Sequence, residues 1–415
     1  MTPRFCREAS GFMKRSAPGL IVLACLFLAV SCRAPQKEPL ARVAGRDCPA
    51  AYKDDLDLKG LKEAAELQRA YFKAAKERGG FESSHPDFTA ERMKSSLELL
   101  LSYLGQNPDA GSLDRFIRSN FDAYRAAGGD GYGKLLFTGY YIPVLEGSRE
   151  PTPEYRYPIY RSPDDLVRVD LGLFDSQWKG RQLRGRLEGS GLVPYYSRSE
   201  IDKGNAVGKD RGLAFLWVKD YMDLFFLHIQ GSGQVRLPSG DLVNVNYDDK
   251  NGHSYTSIGR LLVEDGKISR EDVSLQSIKR YFREHPDEME RYLFRNESYV
   301  FFREAPADRF PLGSLNFPLT AGRSVAADAR VFPKGGLVFI ESEKPVISED
   351  GEIQRWEKFS RLCIDQDQGG AIKGPGRMDI FFGAGKYAEV AAGHFKQEGR
   401  AYYLLRKAGS RPEAK

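Results

Sequence analysis

A chain of 415 residues with 41% hydrophobic and 12% aromatic side chains can build two domains, or one large domain carrying an insertion. The formal charge is +5, but Arg4, Arg7, Lys14 and Arg15 against Glu8 lie in the first 31 residues, leaving 58 basic to 56 acidic residues. That balance excludes an extended nucleic-acid surface, and the 29% of charged residues is ordinary for a globular chain.

Basic residues ahead of the apolar run 20–30, with a cysteine just after it, read as an export segment spanning 1–31 and standing outside the fold. The run is too short to cross a bilayer comfortably. Ala29-Val30-Ser31-Cys32 resembles a bacterial lipobox, in which Cys32 takes the lipid anchor; a plain cleaved leader is the alternative. Arg33 rather than Asp after it resembles lipoproteins sent to the outer membrane. Residues 32–50, with Pro35 and Pro39, read as a tether. In such an oxidising compartment Cys48 and Cys363 form either a disulfide or two thiols.

Three helical stripes follow. Leu58, Leu61, Ala65 and Phe72 mark the first; Met93, Leu97, Leu101 and Leu104 mark the second, with Asp87 as its cap. Leu113, Phe116, Ile117, Phe121 and Tyr124 predict a third, running from Ser112 to Gly128-Gly129. After Gly133 the pattern turns to strands: 135–143 ending at Pro143, an irregular β region over 144–210, then 213–218 and 224–229. Residues 268–295 read as one or two helices, and strands return at 337–340, 362–364, 378–382 and 402–405. The order suggests a mainly β fold with N-terminal helices, in which one barrel is interrupted by an inserted domain.

The stretch 367–383 concentrates the chemistry. On strand alternation Arg377, Asp379 and Phe381 share one face, and Met378, Ile380 and Phe382 the other, which looks buried. A carboxyl set on an apolar strand is costly unless it stays protonated or finds partners. Asp379 is therefore either a general acid at a cleft floor, with Phe381 as a sugar platform, or half of an Arg377–Asp379 surface pair. A close arginine pulls the other way, lowering a carboxyl pKa. Asp367, ahead of Gly369-Gly370, also suits a turn cap. Gln230-Gly-Ser-Gly-Gln234 offers amides and the Ser232 hydroxyl to a sugar, or is a hairpin turn. Tyr140 and Tyr141 either stack on sugar rings or lie in the core. Asp248, Asp249 and Asn251, like Asp365 and Asp367, lack calcium-loop spacing, and no HExxH pair, phosphate loop or nucleophile elbow occurs, so neither metal nor cofactor is expected.

Five blocks occur in order: Thr138-Gly-Tyr-Tyr141, His228-Ile-Gln-Gly-Ser-Gly233, Asn296-Glu-Ser-Tyr-Val-Phe-Phe302, Pro318-Leu-Thr-Ala-Gly-Arg-Ser-Val-Ala-Ala-Asp328 and 367–383. Together they resemble the membrane-bound lytic murein transglycosylase A family over about 140–405. The resemblance implies a double-psi β-barrel at 51–143 plus 313–415, an inserted second β domain at 144–312, and a groove between them for a glycan strand. It implies a lyase that cleaves the β-1,4 bond of peptidoglycan without water, leaving 1,6-anhydromuramic ends. Asp379 matches the catalytic acid, and Asp367 and Asp328 match supporting aspartates. Thr138, Tyr140, Tyr141, Gln230, Ser232, Lys373 and Phe381 are expected to contact the substrate. Peptidoglycan strands and the periplasmic face of the outer membrane are the implied partners, with cell-wall remodelling proteins beside them. A hydrolytic muramidase and a non-catalytic wall-binding lipoprotein are the alternatives.

Overall fold

The last long strand, Lys396–Arg406, organises the molecule because it pairs with different neighbours along its length. It runs antiparallel to Leu337–Ile347 through Leu337↔Leu404 and, by its first residues, to Leu135–Ile142 through Lys396↔Thr138. From Leu337–Ile347 the sheet continues antiparallel to Ile353–Asp367. It then passes parallel to Ser324–Ala326, antiparallel to Arg377–Ala384 and parallel to Leu135–Ile142. Six strands thus close into a barrel without a free edge. Phe121–Ala126 and then Leu40–Val43 extend it from the far half of Lys396–Arg406. Alternate residues share one buried face: Phe137, Val325, Val338, Ile340, Cys363, Met378 and Ile380 belong to one cluster. The apolar faces of the helices Leu61–Glu77 and Ala90–Leu104 join it through Leu61, Ala65, Phe72, Met93 and Leu97.

This computed structural model describes residues 38–77, 83, 85–207, 211–306 and 311–408. The export segment and Cys32 lie outside the described residues. Barrel strands come from 40–142 and 324–406, whereas two further sheets are built wholly from 144–304. The larger has the order Val300–Glu304, Leu242–Lys250, Ser232–Arg236, Val144–Ser148, Ala214–Val218 and Tyr157–Tyr160. It has a core of its own, including Leu145, Ile159, Leu216, Phe225, Val235 and Val245. The smaller sheet comprises Val167–Asp170, Gln182–Glu188 and Gly191–Pro194. Only Pro143 separates the barrel strand Leu135–Ile142 from Val144–Ser148 in the larger sheet.

Several expectations are corrected. Residues 224–229 are no strand but part of the helix Tyr221–Gln230, capped by Asp220 and ended by Gly231 at φ +76°. A run apolar on every side lacks a diagnostic period, so a buried helix and a buried strand read alike. The third helix stops at Asn120, and Phe121–Ala126 becomes a strand because two barrel strands offer it hydrogen bonds. Thr89, not Asp87, caps the second helix, accepting from the Arg92 N–H. Within the stretch 32–50 expected as a tether, Leu40–Val43 is held in the sheet. Cys48 and Cys363 are free thiols. Their sulfurs turn to different carbonyls, those of Val43 and Gly322.

Candidate active site

Strand register assembles the site. Asp379 lies opposite Ala326 on one side and Thr138 on the other, and Ala326 lies opposite Asp367. Asp328 follows two residues beyond Ala326. Residues from four different parts of the sequence therefore meet on one rim.

Asp379 retains 13% of its side-chain exposure. The Thr138 hydroxyl donates to its Oδ1, and Arg377 Nε reaches the same oxygen at 3.3 Å. Arg377 also spends Nη2 on Thr138 Oγ1 at 3.0 Å and Nη1 on the Ala371 carbonyl at 3.4 Å. Among the described residues no donor reaches Oδ2. Burial pushes the Asp379 carboxyl above its ordinary pKa, outweighing the downward pull of Arg377 and Thr138. Sequence leaves the general acid and the surface pair open; the structure shows the Arg377 contact together with a carboxyl whose pKa is raised.

The neighbouring carboxylates differ. Asp367 accepts from the Ser314 and Gln368 N–H groups at 2.7 and 2.8 Å and from the Tyr140 hydroxyl at 3.0 Å. Burial still leaves its pKa raised against those donors. At Asp328 burial pulls upward too, but Arg330 and the N–H groups of Gly374 and Arg330 overcome it and hold the carboxyl well below the usual range. Arg330 Nη2 lies 2.6 Å from Asp328 Oδ2, and the Gly374 N–H lies 2.7 Å from it. Asp328 is thus a fixed anion that pins the loop ahead of Asp379.

Sequence reasoning passes over Lys334. Its buried ammonium donates to Asp365 Oδ1 at 2.5 Å, to the Ala327 carbonyl at 2.7 Å and to the Asp367 carbonyl. It therefore ties the segment before Asp328 to the one carrying Asp367. Within Phe332-Pro-Lys-Gly-Gly336 nothing marks it, since only the folded barrel brings those carbonyls together.

Several expected substrate contacts are engaged inside the protein. Phe381 is 2% exposed, packed with Ile142 and Leu319 and tilted against Tyr140 at 5.2 Å between centroids, so its face is closed to a sugar. The buried Tyr141 ring belongs to the core of the larger sheet. Its N–H donates to Gln230 Oε1 at 3.2 Å and its hydroxyl reaches Glu389 at 3.5 Å. Ser232 donates to Asn246 Oδ1 at 2.5 Å. The Gln230–Gln234 turn is neither a hairpin nor an open loop, because Gly231 ends a helix and Ser232 begins a strand. Lys373 is exposed on the loop before Asp379. It helps lower the pKa of Lys250 in the larger sheet, after burial and together with Arg184. Asp249, once a metal candidate, is bound by Arg168 and Arg184, and Asn251 by backbone groups.

Comparison with known proteins agrees with this geometry. Residues 136–303 match the family model described as the MltA specific insert domain, and 323–405 match the 3D domain. Membrane-bound lytic murein transglycosylase A of Escherichia coli strain K12 is 33% identical over 70% of each chain. The Vibrio cholerae protein of that name is 32% identical over 74% of each. A membrane-bound lytic murein transglycosylase from Agrobacterium tumefaciens superposes with a TM-score of 0.73 at 32% identity, covering 88% of this chain and 97% of that one. E. coli MltA with bound chitohexaose gives 0.65 at 27% identity, over 89% and 95%. These relatives define the chain as an enzyme of the lytic transglycosylase class. The chain belongs to the membrane-bound lytic murein transglycosylase A family.

Proposed function

We propose that this lytic transglycosylase cleaves the β-1,4 bond between N-acetylmuramic acid and N-acetylglucosamine without water, using Asp379 as both acid and base. The observation that carries it is the Asp379 carboxyl: its pKa is raised by burial and, among the described residues, it is contacted on Oδ1 alone, and so is equipped to present a proton from Oδ2. Protonation of the bridging oxygen breaks its bond to muramic C1. The C6 hydroxyl of the same sugar then bonds to C1 and returns its proton to the Asp379 carboxylate, closing a 1,6-anhydro ring. The nucleophile belongs to the substrate, so a second carboxylate about 5–9.5 Å away, as ordinary glycosidases use, is unnecessary. Intramolecular attack reaches effective molarities of about 10⁵–10⁸ M, leaving proton transfer and positioning to the protein.

In this reading Asp367 and Asp328 support the rim, and Thr138, Tyr140 and Lys373 border the bound strand. The two parallel pairings within the barrel support a double-psi connection. The sheets of 144–304 act as an inserted domain, with the glycan groove against the rim. The chitohexaose complex of E. coli MltA supports a sugar-polymer ligand. Among the described residues no helix is long and apolar enough to cross a membrane. The reading places the enzyme on the periplasmic face of the outer membrane through lipid on Cys32.

Mass spectrometry of sacculi digested by the protein tests this. Anhydro-muropeptides, lighter by one water than reducing ends, are expected from the parent and almost none from Asp379→Asn. Reducing muramic ends would replace the reading by hydrolysis, and full activity of the variant would remove Asp379 from the chemistry.

A further inference from the structure

The small sheet of 167–194 is amphipathic in an inverted sense. Direct cross-strand partners share a face, and the register Val169↔Leu183, Val167↔Gly185↔Pro194 and Leu187↔Leu192 gathers apolar residues on one side. The other side is polar and already occupied. Arg184 Nε donates to Asp249 Oδ1 at 2.6 Å and Arg168 to Oδ2, while Gly252 packs so close to Arg184 that a Cβ there would lie 2.8 Å from the Arg184 Cβ. Arg186 lies over the Tyr196 ring. Arg184 and Arg186 are therefore held on the inner face, although Arg168 and Glu188 at its margins stay exposed, and Leu183, Leu187 and Leu192 on the apolar face are exposed.

The turn joining the first two strands continues that surface. Leu173 is 85% and Phe174 75% exposed, and Trp178 is exposed beside them. Asp170 and Asp175 point back to cap the turn, on the Gly172 and Gln177 N–H groups, whereas Lys179 and Arg181 are exposed next to the aromatic residues. Adjacent exposed leucine and phenylalanine are costly in water. With a tryptophan and cations at their edge they match the apolar boundary and anionic headgroups of a bilayer surface.

We infer that the outer face and tip of the 167–194 sheet dock on an anionic lipid surface. Chain length favours this occupant. Leu40 is held in the barrel sheet, so only seven residues separate it from Cys32. Seven residues reach at most about 25 Å, which keeps a lipid-anchored enzyme against the bilayer. That step rests on the anchored reading of Cys32, so the test omits the anchor.

The described residues from 38 onward form one compact unit, and the chain from residue 33 onward, made without leader or lipid, is suited to flotation. The probes are vesicles of phosphatidylglycerol and phosphatidylethanolamine, with phosphatidylcholine vesicles as the uncharged control. Binding to the anionic vesicles is expected, weakened at least tenfold in Leu173→Asp/Phe174→Asp, with sacculus digestion by that variant unchanged. No flotation of the parent, or equal flotation of the variant, overturns the proposal. So does a parent dimer in sedimentation that the variant dissolves, which would assign the face to a second copy. Failure in any of these ways leaves the anhydro-product assay untouched.

Discussion

Two carboxylates in this molecule are taken out of water to opposite effect. Asp54 sits at the edge of the barrel core with a fully buried side chain. Arg323 grips both its oxygens at 2.6 and 2.8 Å, and N–H groups of Leu56, Leu58 and Leu362 add to them. Burial raises its pKa, but Arg323 and those N–H groups outweigh it, and the net shift is downward. Asp379 keeps some exposure, yet its pKa is raised. What separates them is the balance of burial against donors: five contacts from Arg323 and three N–H groups at Asp54, two at Asp379. At Asp54 the donors win and the carboxyl is held as an anion; at Asp379 burial wins.

The largest expected effect comes from Asp379→Asn, which breaks the catalytic side of the comparison. Loss of general acid–base chemistry costs about 10²–10⁴-fold in rate, read as released anhydro-muropeptides. Stability moves the other way. A carboxyl with a raised folded pKa stabilises below the unfolded value, and that contribution is lost as pH rises through the folded pKa. The variant is therefore expected to melt higher than the parent above that range, with the gap closing in acid. A lower melting temperature at pH 8 would contradict the desolvated-acid account.

Arg323→Leu attacks the structural side. It strands Asp54 without its guanidinium, and uncoupling a buried pair costs about 3–5 kcal/mol, measurable by urea unfolding. Because the folded pKa of Asp54 is depressed, its contribution is present above the unfolded value and disappears as pH falls through the folded one. The two aspartates should thus leave opposite signatures in stability against pH. A smaller effect is expected of Arg377→Gln. Removing the nearby cation lifts the Asp379 pKa further, so the alkaline limb of the pH–rate profile moves to higher pH. An unmoved limb would mean that Arg377 does not act on the proton donor.

Asp379 was legible in sequence because strand alternation fixes which residues share its face, and Met378 and Ile380 are indeed fully buried. The partners of its carboxyl were not, because Thr138 arrives from 241 positions away through a parallel pairing. Arg323, Asp54 and Lys334 were invisible for the same reason: each is an ordinary charged residue until the barrel closes. The helix Tyr221–Gln230 was misread because burial on all sides erases periodicity. Phe381 obeyed the alternation yet lost its proposed sugar face, since Leu319 and Ile142 cover it from strand and loop.

The smallest expected effect tests whether Asp367 belongs with Asp54 or with Asp379. Its pKa is raised like that of Asp379, but three donors hold it, as donors hold Asp54. Tyr140→Phe removes one of the three and leaves both backbone N–H groups in place. A single hydrogen bond is worth about 0.5–1.5 kcal/mol net, and Asp367 makes no proton transfer in the single-carboxylate mechanism. Activity on sacculi should therefore fall by about tenfold or less, with the anhydro product unchanged. Loss on the scale of Asp379→Asn, or the appearance of reducing ends, would draw Asp367 into the chemistry as a second carboxylate. The raised pKa of Asp367 would then mark function, and counting donors would no longer separate an anchor from a catalyst.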